Sequence, residues 1–282
     1  MANWQIGDVK VTKVQEIEAQ WPFKALLPGG EDLIDAHDWL RPDFVTDEGR
    51  MRLSIHTLFV ESEGVTIAVD TCCGNGKARP GAPAFADLDT DFLDRVAAEG
   101  FTPESVDIVV CTHLHVDHVG WNTRLVDGDW VPTFPNATYL FVEAEYEHWR
   151  GEPQNYGPVF DDSVAPVMDA GQAQLVSPDH VITSEVRLES TPGHTPGHAS
   201  VVIDSGGQRA VITGDMTHHP VQFAHPELVS SADWRQDMAV ATRRDAYQRW
   251  ADGRLIIGTH FAGRTAGRLV AEGDTWRLGP AD

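Results

Sequence analysis

Cysteine, positive charge and long apolar runs are all scarce in this sequence. Its three cysteines, Cys72, Cys73 and Cys111, cannot build a disulfide framework and indicate buried thiols in a reducing compartment. No apolar stretch approaches the roughly 20 residues that span a bilayer. Residues 1–13 also lack the apolar segment of a secretory signal. We therefore predict a cytoplasmic protein that has no membrane partner.

The balance of charge excludes a second class of partner. Lysine and arginine together number 21 against 43 aspartates and glutamates, which gives a formal net charge of −22 at pH 7. A strongly acidic surface repels the phosphates of nucleic acids, so we expect no nucleic-acid partner. A small-molecule substrate stays compatible with this charge, even an anionic one, because a bound metal ion sets its own local field.

Apolar runs typical of strands alternate with helical patterns along the chain. Residues 54–71 form two β-rich runs joined at a Glu-Ser-Glu-Gly turn, and residues 89–101 and 233–253 have helical spacing. No linker or repeat interrupts the alternation, so we predict a single α/β domain over residues 1–282. We expect irregular loops or lids near residues 18–50 and 151–182.

Four of the strand-like runs end in a residue that can bind a metal. Each consists of an apolar stretch, a Thr or Gly break, and then one of His113, His194, Asp215 or His260. Ligand sites in open α/β sheets lie beyond the carboxyl ends of the strands. We therefore expect these side chains to meet at one edge of the sheet.

The donor types at these positions predict two metal ions. His113 and His115 lie two residues apart, so an extended segment points both in one direction, and His194 completes a three-imidazole set typical of catalytic zinc. Imidazole with carboxylate donors favours two Zn²⁺ per chain, with Fe, Mn or Co as alternatives. The predicted ligands are His113, His115 and His194 for one ion and Asp117, His118 and His260 for the other, with Asp215 between them.

Four motifs carry a resemblance to a known family. The segments THLHVDH (112–118), TPGHTPGH (191–198), ITGD (212–215) and GTH (258–260) resemble those of the metallo-β-lactamase-fold hydrolase superfamily. The resemblance implies an αββα sandwich of two mixed β-sheets flanked by helices, with a dinuclear centre at one edge. It assigns His194 as the ligand of its Pro-Gly-His turn and His198 as a supporting residue, and it leaves a homodimer possible.

The same resemblance narrows the expected activity. Residues 214–227, GDMTHHPVQFAHPE, look most similar to the lactonase and methyl-parathion-hydrolase branch. This implies a dinuclear hydrolase in which a bridging hydroxide attacks the carbonyl of a small ester or lactone, with Asp117 and Asp215 as its catalytic carboxylates. Two alternatives stay open: a phosphotriester or arylester hydrolase at the same centre, and a mononuclear iron oxygenase of the persulfide-dioxygenase type.

Residues beside the ligand motifs are candidates for substrate contacts and for support. His218 could face the substrate or lie in a solvated turn, and Asp70 could accept the spare N–H of a ligating histidine or end a strand. Aromatic side chains often line apolar pockets, although core packing is their more frequent role. The candidates for such a pocket wall are Trp21, Phe23, Trp121 and Phe223, of which Trp121 and Phe223 lie nearest the ligand motifs.

Overall fold

Two β-sheets packed face to face form the centre of the fold. The computed structural model describes residues 2–281. Its strands are β1 (Asn3–Ile6), β2 (Val9–Trp21), β3 (Met51–Ser62), β4 (Val65–Val69), β5 (Ile108–Val110), β6 (Thr123–Val126), β7 (Asp129–Pro132), β8 (Thr138–Val142), β9 (Ala173–Val176), β10 (Val186–Ser190), β11 (Ala199–Ser205), β12 (Gln208–Ile212), β13 (Leu255–Ile257), β14 (Ala266–Glu272) and β15 (Thr275–Leu278). The first sheet has the order β1-β2-β3-β4-β5-β8-β9 and the second the order β10-β11-β12-β13-β14-β15, while β6 and β7 pair separately.

Helices cover the outer face of each sheet. They are α1 (Phe23–Leu26), α2 (Phe92–Ala98), α3 (Glu143–Gly151), α4 (Val159–Ser163), α5 (Ala165–Asp169), α6 (Val221–Ala224) and α7 (Gln236–Trp250). The predicted helices at 89–101 and 233–253 are thus present as α2 and α7. Within residues 2–281, no helix combines the length and the apolar character needed to cross a bilayer.

Alternating side chains along the strands divide the interior into three apolar layers. In β3, Leu58 and Val60 point into the layer between the sheets, whereas Phe59 points out toward α2. In β11, Val201 belongs to the middle layer and Val202 to the layer under α7. Because strand side chains alternate between faces, both sheets can bury both of their surfaces. This arrangement confirms the predicted αββα sandwich.

Two parallel strand pairs determine where the loops of interest meet. β4 pairs in parallel with β5, and β12 pairs in parallel with β13. Parallel neighbours end at the same edge of a sheet, so the residues that follow them come together. Asp70 after β4 accordingly accepts a hydrogen bond from the Thr112 amide after β5 at 2.8 Å. Asp215 and His260 follow β12 and β13 in the same way.

The two stretches expected to be irregular consist of short elements joined by loops and turns. Between residues 18 and 50, β2 continues to Trp21, and α1 and three short 3₁₀ turns follow. Leu40 and Phe44 are completely buried there, which anchors the segment to the layer beneath it. Between residues 151 and 182, the chain forms α4, α5 and β9. Burial of apolar side chains therefore orders segments whose local sequence has no periodic pattern.

A buried ion cluster fixes the segment that follows β4. The Arg79 guanidinium binds both carboxylate oxygens of Asp162, at 2.6 and 2.8 Å, and the side chains are fully or almost fully buried. Lys77 Nζ lies 3.4 Å from Asp162 Oδ1 and donates to Thr123 Oγ1 at 2.8 Å. Burial lowers the pKa of Lys77 to about 7, although Asp162 opposes the change. The cluster holds residues 77–79 against α4.

Candidate metal centre

Three imidazoles converge on one point beyond the ends of β5 and β10. His115 Nδ1 lies 3.1 Å from His113 Nε2 and 2.9 Å from His194 Nε2, and the two Nε2 atoms are 3.2 Å apart. All three residues are buried. Nitrogens bound tetrahedrally to one zinc ion at 2.0–2.1 Å lie about 3.3 Å from one another. The triangle formed by these three atoms therefore has nearly the size that one such ion requires.

A second group of donors lies beside the first. His118 Nε2 is 3.7 Å from Asp117 Oδ1, and His260 Nε2 is 3.5 Å from Asp117 Oδ2. These three side chains each offer one atom within a common span of 4.8 Å. Two nitrogens and a carboxylate are donors that suit zinc or a similar divalent ion.

The carboxylate of Asp215 lies between the two groups. Its Oδ1 is 3.3 Å from His118 Nε2 and 3.0 Å from His260 Nε2. Its Oδ2 is 3.2 Å from His260 Nε2, 3.5 Å from His194 Nε2 and 3.9 Å from His113 Nε2. Although burial opposes it, the surrounding imidazoles, His260 first, hold the pKa of Asp215 well below its ordinary value. The anionic carboxylate therefore lies against both donor groups, with Oδ1 beside the second group and Oδ2 within reach of both.

The hydrogen bonding of these atoms fits a bound cation. Among residues 2–281, His118 Nε2 and Asp215 Oδ1 are buried polar atoms that have no hydrogen-bond partner. Burying an unpaired polar group is costly, and such groups are rare in folded proteins. A cation between them would satisfy both atoms, so the residues present fit a metal centre.

Partners behind the imidazoles fix which nitrogen points into the centre. The Nδ1–H of His118 donates to Asp70 Oδ2 at 2.9 Å, and that of His194 donates to Asp233 Oδ1 at 3.1 Å. The Nδ1–H of His260 donates to the Ser54 carbonyl at 3.2 Å. A carboxylate or carbonyl oxygen can only accept, so in the neutral, metal-binding form of each ring the lone pair is on Nε2. This is the arrangement by which outer partners orient metal-binding histidines.

Protonation of the histidines differs between the two groups. Burial, together with the neighbouring imidazoles, lowers the pKa of His113 and His115 well below the ordinary value. Burial also opposes protonation of His118, but the carboxylates of Asp215 and Asp70 raise its pKa well above the ordinary value. Metal binding needs the neutral imidazole, so His113 and His115 are already in the binding form at neutral pH.

His198 lies directly behind the loop that carries Asp215. Its Nε2 accepts the Asp215 backbone N–H at 2.9 Å, and its Nδ1 lies 2.9 Å from Thr191 Oγ1. Gly214 has a φ of +55°, and a Cβ at this position would lie 2.4 Å from His198 Nε2. Only glycine permits this close approach, so the Gly-Asp pair and His198 together set the position of the carboxylate.

A cavity of about 290 Å³ opens onto the donor groups. One side is polar and the other apolar, which is the composition of sites that bind small organic molecules. The polar side is lined by His115, Asp117, Tyr156, His194, Asp215, His218 and His260. The apolar side is lined chiefly by Ala19, Trp21, Leu26, Leu53, Ile55 and Phe85.

The structure brings only some of the expected substrate-contacting residues to this cavity. His218 lines it, with Nε2 3.3 Å from Asp215 Oδ2 and no hydrogen-bond partner on either nitrogen among residues 2–281. Trp121 instead donates to Glu16 Oε1 at 2.7 Å in the layer under α2. Phe223 is buried in the layer under α7. Nearness in sequence to a ligand motif does not determine the direction of a side chain.

The two remaining aromatic candidates divide in the same way. Trp21 lines the cavity, whereas Phe23 is buried in the layer under α7 and packs edge-on against His219. Two further residues of the site, Tyr156 and Asp233, are not predicted by any of the sequence motifs. Tyr156 lies in a stretch without periodic pattern, and Asp233 reaches His194 from 39 positions away. Neither has a local sequence signal that could have identified it.

Comparisons with known proteins agree with this architecture. The family model of the metallo-beta-lactamase superfamily matches residues 50–250. An N-acyl homoserine lactonase of Agrobacterium fabrum, AttM, is 32% identical over 122 residues, which are 42% of this chain and 43% of that protein. An N-acyl homoserine lactonase of a Bacillus species is 29% identical over 106 residues, 38% of this chain and 36% of that protein. The matched segment thus spans less than half the length of these relatives.

Solved structures match over nearly the whole chain. The hydrolase AbOPH of the beta lactamase superfamily has a TM-score of 0.80 at 25% identity, covering 99% of this chain and 96% of its own. The dizinc quorum-quenching lactonase AidC has a TM-score of 0.80 at 19% identity, covering 100% and 97%. The similarity to AidC, at 19% identity, shows a common fold and no more. With the family model matching most of its length, this chain belongs to the metallo-beta-lactamase superfamily.

Proposed function

We propose that this protein is a dinuclear metal-dependent hydrolase of small lactones or esters. The observation that carries the proposal is the placement of Asp215, whose carboxylate lies within 3.5 Å of imidazole nitrogens from both donor groups at the floor of one cavity. The ions of two-metal hydrolases lie close together, which requires two donor groups that lie side by side. Membership of the superfamily and its lactonase relatives agree with this activity.

Seven side chains would hold the two ions, and zinc is the ion that their chemistry favours. The bound ions would supply Lewis acidity and would lower the pKa of water toward neutrality. The first ion would be held by His113, His115 and His194, the second by Asp117, His118 and His260, with Asp215 shared between them.

The chain's own residues would orient the reactants. The side chain of Asp117 is 16% exposed, against 5% for Asp215, so it is the carboxylate more open to the cavity. In this proposal Asp117 orients the attacking water and accepts its proton. Burial, with Asp117 and Asp215 nearby, raises the pKa of Tyr156. Its phenol therefore keeps its proton and can donate a hydrogen bond to a substrate oxygen. His218 offers a further hydrogen bond from the same wall.

The apolar side of the cavity favours a substrate with a hydrocarbon portion. Trp21, Leu26, Leu53, Ile55 and Phe85 present no charge to the ligand. A lactone that carries an acyl chain would place its ring over the donor groups and its chain against these side chains. The related lactonases are named for N-acyl homoserine lactones, so we propose this class as the first to test.

The test uses metal-free protein reconstituted with zinc. We expect ring opening of N-hexanoyl homoserine lactone to appear only after zinc is added, and to exceed turnover of a phosphotriester and an aryl ester. Asp215→Ala should abolish it, whereas Asp204→Ala, which alters an exposed carboxylate on β11, should not. Faster phosphotriester turnover would replace the proposed substrate class. One bound iron with oxygen uptake on a persulfide would overturn hydrolysis altogether.

A further inference from the structure

Glu145 is a buried carboxylate that the proposed chemistry does not use. It lies in the first turn of α3 and is 1% exposed. Among residues 2–281, no lysine, arginine or histidine forms an ion pair with it. A buried carboxylate without a cation needs several hydrogen bonds to be tolerated. The hydrogen-bond donors that contact Glu145 therefore indicate its structural role.

Its two oxygens bind the two loops that carry the three imidazoles. Oε1 accepts the backbone N–H of Leu114 at 3.1 Å, and Oε2 accepts the backbone N–H of Gly197 at 2.9 Å. Leu114 lies between His113 and His115 in the sequence, and Gly197 lies three residues after His194. One side chain thus joins two segments that approach the centre from different sheets.

The packing around Glu145 is close on both sides. A Cβ on Gly197 would lie 2.4 Å from the Glu145 backbone nitrogen, so this loop contacts α3 directly. Oε1 also accepts the indole N–H of Trp149 at 2.6 Å, and the Trp149 ring packs 5.2 Å from the His115 ring. The carboxylate therefore fixes both loop backbones and one side chain that contacts a ligand.

We propose that Glu145 is a positioning residue that sets the spacing of the three-imidazole site and so controls its metal affinity selectively. The inference rests on the proposed function, because it concerns the affinity of one of the two proposed ions. Asp117, His118 and His260 donate no hydrogen bond to Glu145, so the second site depends on it less. A carboxylate accepts hydrogen bonds at both of its oxygens, whereas the amide of a glutamine at this position would present N–H groups to one of the two loops.

The variant Glu145→Gln keeps the size of the side chain and removes one acceptor. Glu147→Gln on the same helix is the matched control, since Glu147 is exposed and lies 3.4 Å from Arg150. Zinc affinity is measured by competition with a chelator, without substrate. Loss of an outer partner weakens metal binding by about 10- to 100-fold. We expect one of the two zinc ions to weaken by this factor in Glu145→Gln, and neither to change in Glu147→Gln.

Equal weakening of both ions, or of neither, would overturn the inference. Wild-type protein that binds no zinc would instead refute the proposed function, so the two failures are distinguishable. Hydrogen exchange in metal-free wild-type protein gives a test that does not depend on the variant folding. We expect the Leu114 and Gly197 amides to stay protected, because Glu145 still accepts from them. Rapid exchange of both would show that metal, and not Glu145, holds the loops.

Discussion

Filling the apolar side of the cavity should shorten the acyl chain preferred by the proposed lactonase. Ala19 and Trp21 lie two residues apart on β2, and both line the cavity. Strand side chains two positions apart share a face, so a larger side chain at position 19 enters the same space. Ala19→Leu is the perturbation. Gln20→Leu is its matched control, because Gln20 is exposed and its side chain points away from that face.

The magnitude follows from the apolar area that the chain buries. Each buried methylene contributes about 0.8 kcal/mol, so kcat/KM should rise about 4-fold per added methylene until the chain fills the 290 Å³ cavity. Leucine has about three more carbon atoms than alanine and should displace a similar length of chain. Displacing this length of chain from the cavity should cost about 2.4 kcal/mol of binding free energy, which is about a 60-fold loss of kcat/KM for the longest substrates.

The assay compares kcat/KM for N-acyl homoserine lactones from butanoyl to dodecanoyl. Short-chain substrates should be hydrolysed equally by wild type, Ala19→Leu and Gln20→Leu, and only Ala19→Leu should lose activity on long chains. A wild-type profile that does not depend on chain length would refute the reasoning. So would an identical profile for the two leucine variants.

Three further predictions concern the carboxylate behind His194 and the buried ion cluster of Lys77, Arg79 and Asp162. Asp233→Asn removes the carboxylate that orients His194, so zinc affinity measured by chelator competition should fall about 10-fold or more, and unchanged affinity would contradict this role. Asp162→Asn leaves the cations of Arg79 and Lys77 without their shared buried partner, so urea denaturation should show a loss of about 3–5 kcal/mol. Lys77 has a folded pKa of about 7 against an ordinary 10.5, so between these values the unfolded chain binds more protons than the folded one. As the pH rises from about 7 to 10.5, the free energy of unfolding of wild type should therefore increase relative to that of Lys77→Met, by up to about 1.4 kcal/mol per pH unit. A difference between the two proteins that does not change with pH would contradict this.

Short-range patterns account for the parts of the site that the sequence could predict. His113, His115, Asp117 and His118 lie within one hexapeptide after an apolar strand, and their convergence needs only the local backbone. Asp70 follows β4, and the parallel pairing of β4 with β5 brings it to Thr112. Such pairings are regular features of α/β folds, so sequence reasoning can reach them.

Contacts between distant segments account for what the sequence could not predict. Asp233, Glu145 and Tyr156 lie on elements whose relative placement depends on packing of the whole fold. Trp121 and Phe223 follow ligand motifs closely, yet both turn into the apolar layers because burial of a large aromatic side chain is strongly favourable.

Some elements of the fold were predictable but not recognised. The hairpin of β6 and β7 turns at Asp127-Gly128, a pair that is typical of two-residue hairpin turns. The hairpin of β14 and β15 turns at Gly273-Asp274, which carries a similar signal. Both hairpins are partly exposed, so their strands lack the continuous apolar runs on which the strand predictions relied.

Anomalous diffraction from zinc-loaded crystals tests the central claim most directly. The account predicts two zinc peaks per chain, one among His113, His115 and His194 and one among Asp117, His118 and His260, with an Asp215 oxygen beside each. A single peak, or an Asp215 carboxylate turned away from the metal, would contradict the two-ion centre.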